Sequence, residues 1–334
     1  MKISVIIYTY DRKDYILEAI NSVLNQSISR DQYEIIVVKG FEDVDIDREI
    51  MAAADVSINI DSKGHGKKIV SAIKHSSGEV ICLLDDDDLF TEDKLSKIRQ
   101  IFESDHDIIF VHNSIKRVSA EGKEIFEERV GQYKSLVFDT RNPNKKVLAK
   151  LISKRANWYG SCMSFRRDVL SPVEDVLEAI DQSIDPILFL LAMTKGGKMV
   201  KISDQLTRYR IHTSTTNYVL SYGDYIERRK LFYQNTLRNY NRIVEKCKRT
   251  SGEPLLKVSI AQMRLIVDFT NAAPRRTLLE DLLKLISAMK HVLVKYYLVW
   301  VLYSLTSLID QKLGLRIFYL IQVSGRRSAI EMRS

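Results

Sequence analysis

The chain has 334 residues, of which 45% are hydrophobic and 28% charged, with 13 glycines and 5 prolines. This composition excludes disordered, collagen-like and disulfide-stapled proteins, and the length predicts two units or one large domain with an appendage. The formal net charge is +8, and it is unevenly distributed along the chain. Residues 221–334 hold 20 of the 51 basic residues but only 9 of the 43 acidic ones. This basic excess predicts a C-terminal region that acts near a negatively charged surface.

The three cysteines, Cys82, Cys162 and Cys247, lie far apart in the sequence. They show neither the short spacing of a zinc site nor the pattern of a small disulfide framework, so a reducing compartment fits best. The opening apolar run, residues 3–8, is too short for the hydrophobic region of a signal peptide. We therefore interpret it as a first strand and expect a cytoplasmic protein.

The first 115 residues alternate short β-branched runs with helical patterns, which is typical of βαβ units and a parallel sheet in an α/β fold. The predicted strands cover residues 3–8, 34–38, 56–60, 79–84 and 107–111. The predicted helices cover residues 11–27, 67–74 and 92–102. Asp11 is a candidate cap for the first helix, and Thr91 or Asp88 for the third.

The pattern weakens over residues 116–155, where the charged, mixed sequence predicts a hairpin or a mobile insertion. The segment DPILFLLAMTKGG then predicts a helix with a glycine stop, and KMVKISDQLTRYRIH predicts closing strands. After residue 220 the sequence is helical and basic throughout. We therefore predict an α/β domain over residues 1–220 and a helical region over residues 221–334.

An apolar strand ends abruptly in four aspartates within GEVICLLDDDDLF. Ligands of open α/β sheets bind outside the carboxyl ends of the strands, so the position indicates a site as much as the composition does. On extended chain Asp85 and Asp87 would lie roughly 6.6 Å apart, with a repulsion on the order of 2.5 kcal/mol at an effective dielectric of about 20. A divalent cation, Mg²⁺ or Mn²⁺, would offset that repulsion. The alternative is a solvated acidic turn that caps the following helix.

Several segments, in their order along the chain, resemble the family 2 glycosyltransferases of the GT-A fold over roughly residues 1–217. SVIIYTYDRKDYILEAINSVLNQS is similar to that family's first strand, nucleotide loop and first helix, and GEVICLLDDDDLF is similar to its Asp-x-Asp strand. The resemblance implies a mostly parallel sheet flanked by helices. It also implies transfer of a sugar, mostly with inversion, from a nucleotide-diphosphate donor such as a UDP- or GDP-sugar, with Mg²⁺ or Mn²⁺ as cofactor.

The resemblance also implies roles for single residues. Asp87 would hold the metal, with Asp85 and Asp86 at the donor. His212, at the end of LTRYRIH, resembles an additional metal or phosphate contact, and a packed histidine is the alternative. The other implied donor contacts are Thr9, Tyr10, Asp11, Arg12, Glu42, Asp43, Gly64 and Lys67.

The segment IDQSIDPILFLLAMTKGGKM is similar to the family segment that carries the catalytic base, which implies Asp185 in that role. A base is needed because the acceptor hydroxyl must lose its proton as it attacks the sugar. The usual preceding Glu is Ile184 here, so Asp181 or Asp175 stays open as the base, and simple helix capping is the alternative for Asp185. The acceptor or sugar loop implied by WYGSCMSFRR contains Trp158, Gly160 and Ser161.

The basic C-terminal region contains the most apolar stretch of the chain, YYLVWVLYSLTSLI, residues 296–309. As a helix it would be about 21 Å long, short of the ~30 Å hydrocarbon core, so we expect it not to cross a membrane. Tyr296, Trp300 and Tyr303 fall on one helical face, which predicts an aromatic stripe at lipid headgroups. We expect peripheral attachment to the anionic inner face of the cell membrane, near a lipid-linked or glycan acceptor.

Other interpretations stay open for this region: a buried helical subdomain or oligomer interface, and a transmembrane helix over residues 292–309. Nucleic-acid binding has no recognised motif to support it. For the whole chain we expect a membrane-associated glycosyltransferase of the hexosyltransferase type. A nucleotidyltransferase on a related fold is disfavoured because no pyrophosphorylase-type Gly-rich loop follows the first strand. A catalytically silent, membrane-associated nucleotide-binding module stays open because the base is in doubt.

Overall fold

Short apolar runs form a nine-stranded sheet within the part of the chain that the structure describes. The structure is a computed structural model that describes residues 1–125, 135–212, 221–290, 292 and 295–331 and, within these, all side chains except those of 295–296 and 322–331. The strands are β1 (Ile3–Tyr8), β2 (Tyr33–Lys39), β3 (Val56–Asn59), β4 (Val80–Asp85), β5 (Leu89–Phe90), β6 (Ile108–Val118), β7 (Leu136–Asp139), β8 (Met163–Arg166) and β9 (Lys198–Arg210).

The strand order is β3-β2-β1-β4-β8-β6-β9-β5, and β7 also pairs with β9. Strands β1 to β4 run parallel to one another, whereas β8 runs antiparallel to both of its neighbours, β4 and β6. The five predicted strands are confirmed as β1, β2, β3, β4 and β6. The predicted closing strands are one long strand, β9, which runs parallel to β6 with register shifts.

Helices flank this sheet. Alternate residues of β1, beginning with Ile3 and Val5, share one hydrophobic cluster with α1, α2 and α4, and α3 packs against β1 and β2 outside that cluster. Both faces of the parallel strands are therefore covered, which explains their continuous apolar runs. The helices of this part are α1 (Ile16–Leu24), α2 (Val44–Ala53), α3 (His65–Lys74), α4 (Lys94–Ser104), α5 (Lys145–Ser153), α6 (Arg167–Leu170), α7 (Glu174–Glu178) and α8 (Ile184–Ala192).

Helix α1 begins at Ile16, so the expected cap at Asp11 is wrong. The Thr9 hydroxyl lies 3.0 Å from the Arg12 carbonyl, and the Arg12 side chain reaches Asp86. These contacts keep the residues after β1 in a loop, so the helix starts about one turn later than a cap at Asp11 would place it.

The expected caps of α4 are also wrong. Its N-cap residue is Asp93, which makes no side-chain cap bond, and the Thr91 hydroxyl donates to the Asp93 carboxylate. Asp88 accepts a hydrogen bond from the backbone of Arg210 in β9. The aspartate that seemed a local cap is therefore fixed by a strand that lies far along the sequence.

The expected hairpin or insertion over residues 116–155 is only partly described, because residues 126–134 lie outside the described residues. The described remainder contains the end of β6, an antiparallel bridge between Val118 and Glu124, β7 and α5. The helix predicted before the glycine stop is confirmed as α8, which ends at Ala192, short of Gly196.

The chain divides into two compact units, residues 1–211 with 245–251, and residues 212–244 with 252–334. The division falls at residue 212 and not at the predicted residue 220. Residues 245–251 belong to the first unit, which the sequence pattern did not indicate. A separate function for residues 221–334 stays a prediction. The helices from residue 222 onward are α9 (Tyr222–Arg242), α10 (Val244–Cys247), α11 (Glu253–Thr270), α12 (Arg275–Met289), α13 (Lys295–Ile309) and α14 (Gln311–Glu331).

Aromatic side chains form the core of the second unit. The ring of Phe318 lies 5.8 Å from Trp300, 5.5 Å from Tyr303 and 5.7 Å from Phe269. The expected aromatic stripe at lipid headgroups is therefore wrong for Trp300 and Tyr303, which are both buried. Large aromatic faces bury the most apolar area, so they line the core of this helical unit. The side chain of Tyr296 lies outside the described residues.

No helix in the described ranges is both long enough and apolar enough to cross a membrane.

Candidate active site

The four aspartates form a turn, residues 85–88, directly after β4 at the carboxyl edge of the parallel strands; we call it the acidic turn. Tyr8, the last residue of β1, is paired with Asp85 across the sheet. The Asp88 N–H donates to the Asp85 carbonyl at 3.1 Å, which closes the turn. One carboxylate oxygen each from Asp85, Asp87 and Asp88 can be chosen so that all three lie within 4.8 Å of one another.

The acidic turn fits a divalent cation better than it fits a solvated loop. Asp88 is buried, and its Oδ2 has no hydrogen-bond partner among the described residues. Burial, followed by the neighbouring carboxylates Asp185 and Asp87, raises the pKa of Asp85 to about 8. Burial also raises the pKa of Asp88 well above its usual range. Crowded, desolvated carboxylates of this kind ionise together only beside a positive charge, and hard cations prefer their oxygens.

Arg12 binds two members of the acidic turn. Its Nε donates to Asp86 Oδ2 at 2.8 Å and its Nη2 to Asp86 Oδ1 at 2.5 Å, while its Nη1 lies 2.8 Å from Asp87 Oδ2. Thr9 donates its hydroxyl to Asp86 at 2.9 Å. A bidentate arginine–carboxylate pair fixes the planes of both groups. Thr9, Arg12 and Asp86 thus contact one another, with Asp86 turned towards Arg12; their contact with a donor stays a prediction.

Asp185, in the first turn of α8, approaches the acidic turn across Gly160. The backbone N–H groups of Tyr159 and Gly160 donate to its carboxylate. A Cβ built on Gly160 would lie 3.1 Å from Asp185 Oδ1, 3.3 Å from the Tyr8 hydroxyl and 3.7 Å from Asp85 Oδ1. Three oxygens from three different segments therefore surround one glycine, and a side chain at this position would occupy the space between them.

The surroundings of Asp185 suit a proton acceptor. Burial raises its pKa to about 6, and the two backbone N–H groups act in the opposite direction. Such a carboxylate is ionised at neutral pH yet basic enough to take a proton. The capping alternative has no support, because the N-cap of α8 is Ser183 and no side-chain cap bond is present.

The other two candidate bases have different surroundings. Asp175 is exposed and lies 3.1 Å from Lys246 in an ion pair. The carbonyl of Asp181 lies 3.4 Å from the His65 N–H, at the start of α3. The contacts around Gly160 therefore favour Asp185, whose role as the base stays a prediction.

The expected acceptor loop lies between Asp185 and the acidic turn. Ser161 is buried, and its Oγ accepts a hydrogen bond from the Asp85 N–H at 3.0 Å. Trp158 is 51% exposed. One short loop therefore contacts both carboxylate groups and leaves an indole ring accessible to a ligand.

On the donor side, Tyr10 lies beneath two lysines. The Nζ atoms of Lys63 and Lys68 are 5.4 Å and 4.9 Å from the centre of its ring. Lys68 is buried, and burial lowers its pKa to about 8. Lys67 is exposed, and Gly64 is the residue before α3. Within SKGHGKK, Lys63 and Lys68 thus lie over the Tyr10 ring, and Lys68 is the buried one of the two.

The remaining expected donor contacts have more varied positions. Asp11 and Glu42 are exposed. Asp43 accepts a hydrogen bond from the Ile46 N–H as the N-cap of α2 and forms an ion pair with Lys13 at 3.0 Å. Asp43 therefore has a structural role that its sequence position did not reveal, and donor contacts at all three acidic residues stay predictions.

Arg210, the last residue of strand β9, forms hydrogen bonds to the acidic turn. The Arg210 N–H donates to Asp88 Oδ1 at 2.9 Å, and its Nε donates to the Asp87 carbonyl at 2.9 Å. His212, two residues further, is buried and belongs to the second unit, and the group of three carboxylates found among the described residues does not include it. Its expected role as a metal ligand stays a prediction.

Comparison with known proteins identifies the family. Residues 4–173 match the model of glycosyl transferase family 2. The chain belongs to this family. The predicted enzyme class is confirmed at this level, since the relatives of this family 2 chain named below are themselves named glycosyltransferases.

An uncharacterised glycosyltransferase of Nostoc is 29% identical over 226 residues, which covers 64% of this chain and 65% of the relative. The poly(ribitol-phosphate) β-N-acetylglucosaminyltransferase TarS of Staphylococcus aureus is 24% identical over 194 residues, 54% of this chain and 33% of the relative. An uncharacterised glycosyltransferase of Rickettsia bellii is 35% identical over 141 residues, 41% of this chain. The matched segment spans only 20% of the Rickettsia relative.

Solved structures confirm the GT-A fold. The crystal structure of S. aureus TarS 1–349 aligns with a TM-score of 0.57 at 16% identity, over 86% of this chain and 89% of that one. The mannosyltransferase PcManGT from Pyrobaculum calidifontis, in complex with GDP-Man and Mn²⁺, aligns with a TM-score of 0.53 at 16% identity, over 96% and 87%. At these identities the likeness shows the fold alone.

Three residues of the site escaped the sequence reasoning. The sequence pattern predicts a cap at Asp88, although this residue continues the aspartate run. Lys68 was passed over for Lys67, although the helical spacing of buried Ile69 and Ile73 in α3 places it on the covered side. Tyr8 ends an apolar strand and resembles a core residue; only its register against Asp85 brings it to the site.

Proposed function

We propose that this protein is a metal-dependent glycosyltransferase that moves a sugar from a UDP- or GDP-linked donor to a hydroxyl or phosphate of a glycan or lipid-linked acceptor, with inversion. One observation carries the proposal: Asp185, Tyr8 and Asp85 converge on Gly160 beside a cluster of carboxylates at the end of β4. A proton acceptor and a cation-binding turn thus lie on either side of one small space. Family membership and the named relatives support the same class.

In the proposed reaction Asp185 removes the proton of an acceptor hydroxyl while that oxygen attacks the anomeric carbon. The bond from this carbon to the diphosphate oxygen breaks on the opposite face, so the configuration inverts in one step without a covalent intermediate. The N–H groups of Tyr159 and Gly160 hold the carboxylate in place. Afterwards the proton passes from Asp185 to solvent.

Asp85, Asp87 and Asp88 are the residues that would hold Mg²⁺ or Mn²⁺, which supplies positive charge for the departing diphosphate. The donor nucleotide would lie along the loop after β1, where Tyr10 offers a ring and Lys68 a buried cation. The solved neighbours support this class of donor, since TarS was crystallised with UDP-GlcNAc and PcManGT with GDP-Man.

A panel of nucleotide sugars with Mn²⁺, read by thermal stabilisation and by release of nucleoside diphosphate, tests the proposal. We expect one nucleotide class to stabilise the protein, and Asp185→Asn to lower turnover by about 10²- to 10⁴-fold while leaving donor stabilisation intact. Asp181→Asn is the matched control and should retain turnover. Stabilisation by no nucleoside diphosphate in the presence of metal would refute the class. Stabilisation without turnover by any donor would favour the silent binding module instead.

We also propose that the second unit attaches peripherally to an anionic membrane, by a different surface from the aromatic stripe. Helix α13 exposes apolar side chains along one face, and α12 exposes a similar set. The basic excess of residues 221–334 would attract anionic lipid and repel a second copy of the same unit. The exposed residues are Leu298, Leu302, Leu305 and Ile309 on α13, and Leu279, Leu283 and Ile286 on α12.

Flotation of the full chain with vesicles tests this attachment. We expect binding to vesicles that contain phosphatidylglycerol and little binding to pure phosphatidylcholine. Leu302→Gln should weaken binding by about 10- to 100-fold, since burial of a leucine contributes about 1.5–3 kcal/mol. Leu231→Gln, on α9, changes a similarly exposed leucine and should have no effect. Equal flotation of the two variants, or a stable dimer in light scattering, would contradict membrane attachment.

A further inference from the structure

Two buried lysines make hydrogen bonds that lead to the acceptor loop, one directly and one through a histidine. Lys94, the first residue of α4, and Lys201, in β9, are 0% and 3% exposed. Neither forms an ion pair with a carboxylate among the described residues. A buried ammonium costs several kcal/mol unless its donors are satisfied, so the bonds that each lysine makes deserve an explanation.

Lys94 holds the end of the loop at Ser161. Its Nζ donates to the Ser161 carbonyl at 2.5 Å and to Thr207 Oγ1 at 3.0 Å, and it lies 3.8 Å from the centre of the Phe90 ring. The Thr207 hydroxyl in turn donates to the same Ser161 carbonyl at 2.9 Å. On the opposite side of Ser161, Oγ accepts from the Asp85 N–H and bonds the Asp88 carboxylate. Lys94 therefore fixes the position of Ser161, which is itself hydrogen-bonded to the acidic turn.

Lys201 holds the start of the loop through a histidine. Its Nζ lies 2.9 Å from His112 Nδ1, and the His112 Nε2 lies 2.7 Å from the Trp158 carbonyl. A carbonyl only accepts, so Nε2 carries the hydrogen, and the bare Nδ1 accepts from the lysine. Burial and the nearby Lys201 both lower the pKa of His112, which agrees with a neutral ring. Lys201 also donates to the Asn113 carbonyl at 2.6 Å, which fixes its own position.

Between these two attachments lie the groups that face the site. Tyr159 adopts a left-handed backbone conformation with φ 64°, and the N–H groups of Tyr159 and Gly160 both reach Asp185. Consecutive N–H groups brought together by a left-handed residue form a small anion-binding nest. A left-handed tyrosine is strained and persists only where its neighbours hold it, and here both ends of the segment are held.

We propose that Lys94 and Lys201 are positioning residues that hold the two ends of segment 158–161, and so fix the separation between Asp185, the acidic turn and the exposed Trp158. Lys94 acts on the carboxylate side through Ser161. Lys201 acts on the indole side through His112. Only the catalytic consequence rests on the proposed function; the structural coupling stands without it.

Hydrogen exchange of the full chain without ligand tests the coupling. Lys94→Met keeps the length of the side chain and removes its donors, and we expect about 10- to 100-fold faster exchange in peptides covering 159–162 and 84–88. Peptides from β1 and β2 should keep their protection. Lys198→Met, which changes a partly exposed lysine of the same strand as Lys201, is the matched control and should leave segment 158–161 unchanged.

The fluorescence of Trp158 reports on the start of segment 158–161, the end that Lys201 holds. In a Trp300→Phe background Trp158 is the one remaining tryptophan, and we expect Lys201→Met to increase its quenching by acrylamide while Lys94→Met changes it less. Ser161→Ala leaves Lys94 in place and removes the hydroxyl. It should free the Asp85 amide as Lys94→Met does, and it keeps the test valid if Lys94→Met does not fold. Unchanged exchange at 159–162 in Lys94→Met, or protected 84–88 amides in Ser161→Ala, would overturn the proposal.

A pH profile of donor turnover separates positioning from general destabilisation. If Lys94→Met loosens the N–H groups that lower the pKa of Asp185, the acid limb of turnover should move to higher pH, whereas the limb of Lys198→Met should not move. An acid limb at the wild-type pH in Lys94→Met would refute a positioning role in catalysis. If the wild-type protein shows no turnover with any donor but the exchange results are as expected, the proposed function is refuted and the structural coupling is supported.

Discussion

The pH dependence of turnover follows from the surroundings of Asp185. Its pKa is about 6 because burial outweighs three backbone N–H bonds, from Gly160, Tyr159 and Asp185 itself. A base must be ionised to act, so turnover should be highest above pH 6 and should fall as the carboxylate gains a proton. The ionised fraction is about nine-tenths one pH unit above the pKa and about one-tenth one unit below it. We therefore expect kcat/KM to fall by up to about tenfold between pH 7 and pH 5.

The assay is release of nucleoside diphosphate from the donor, measured from pH 4.5 to pH 8.5 at a fixed Mn²⁺ concentration. A bound cation attracts the ionised form of nearby carboxylates, so the observed limb should lie at or below the pKa of the metal-free protein. Asp181→Asn should keep the limb. Asp185→Asn should lose it together with most of the activity. A limb that persists unchanged in Asp185→Asn would show that another group is the base, and a flat wild-type profile across this range would refute the reasoning.

Three further outcomes follow from the structure. Gly66→Ala should disrupt the fold, because the added Cβ would lie 1.8 Å from the Leu177 carbonyl, whereas Gly223→Ala meets nothing within 4 Å; melting temperatures of the two variants compare them directly. Arg210→Met should lower the free energy of unfolding in urea by about 1–3 kcal/mol, since it removes the guanidinium that donates to the Asp87 and Ala120 carbonyls and pairs with the half-exposed Glu18, and an unchanged free energy of unfolding would contradict this. The raised pKa of Asp85 means that the metal-free folded state keeps a proton that the unfolded chain releases near pH 4, so metal-free stability should fall as pH rises towards 8. Stabilisation by Mn²⁺ in thermal melts should accordingly be larger at pH 8 than at pH 6; an equal or smaller effect at pH 8 would count against a cation at the acidic turn.

Local pattern was sufficient wherever one chain segment carries the whole signal. The strands of the parallel sheet were predictable because runs such as those ending at Tyr8 and Asp85 are buried on both faces and therefore continuously apolar. The acidic turn was predictable for the same reason, since an aspartate run directly after such a strand must lie at its carboxyl end. The order of these segments was enough to indicate the family and the GT-A fold.

Contacts between distant segments decided the rest. In the sequence Asp88 resembles a helix cap, but in the structure it accepts a hydrogen bond from β9. Trp300 resembles a surface aromatic residue in the sequence, but in the structure its ring packs against Phe318. The approach of Asp185 to Asp85 depends on Gly160, and no periodicity in the sequence records a distance between separate loops.

The sequence by itself thus determined the parallel strands, the acidic turn, the family and the charge contrast between the two parts of the chain. The tertiary structure alone decided which aspartates share a site, which lysines lie over Tyr10 and what holds the acceptor loop. The physical reason is that hydrophobic periodicity reports the burial of an element within its own segment, whereas a site is built from side chains whose pairing depends on strand order and register. Lys94 and Lys201 illustrate this limit, because two ordinary lysines in the sequence become buried supports only when Ser161 and His112 are brought to them.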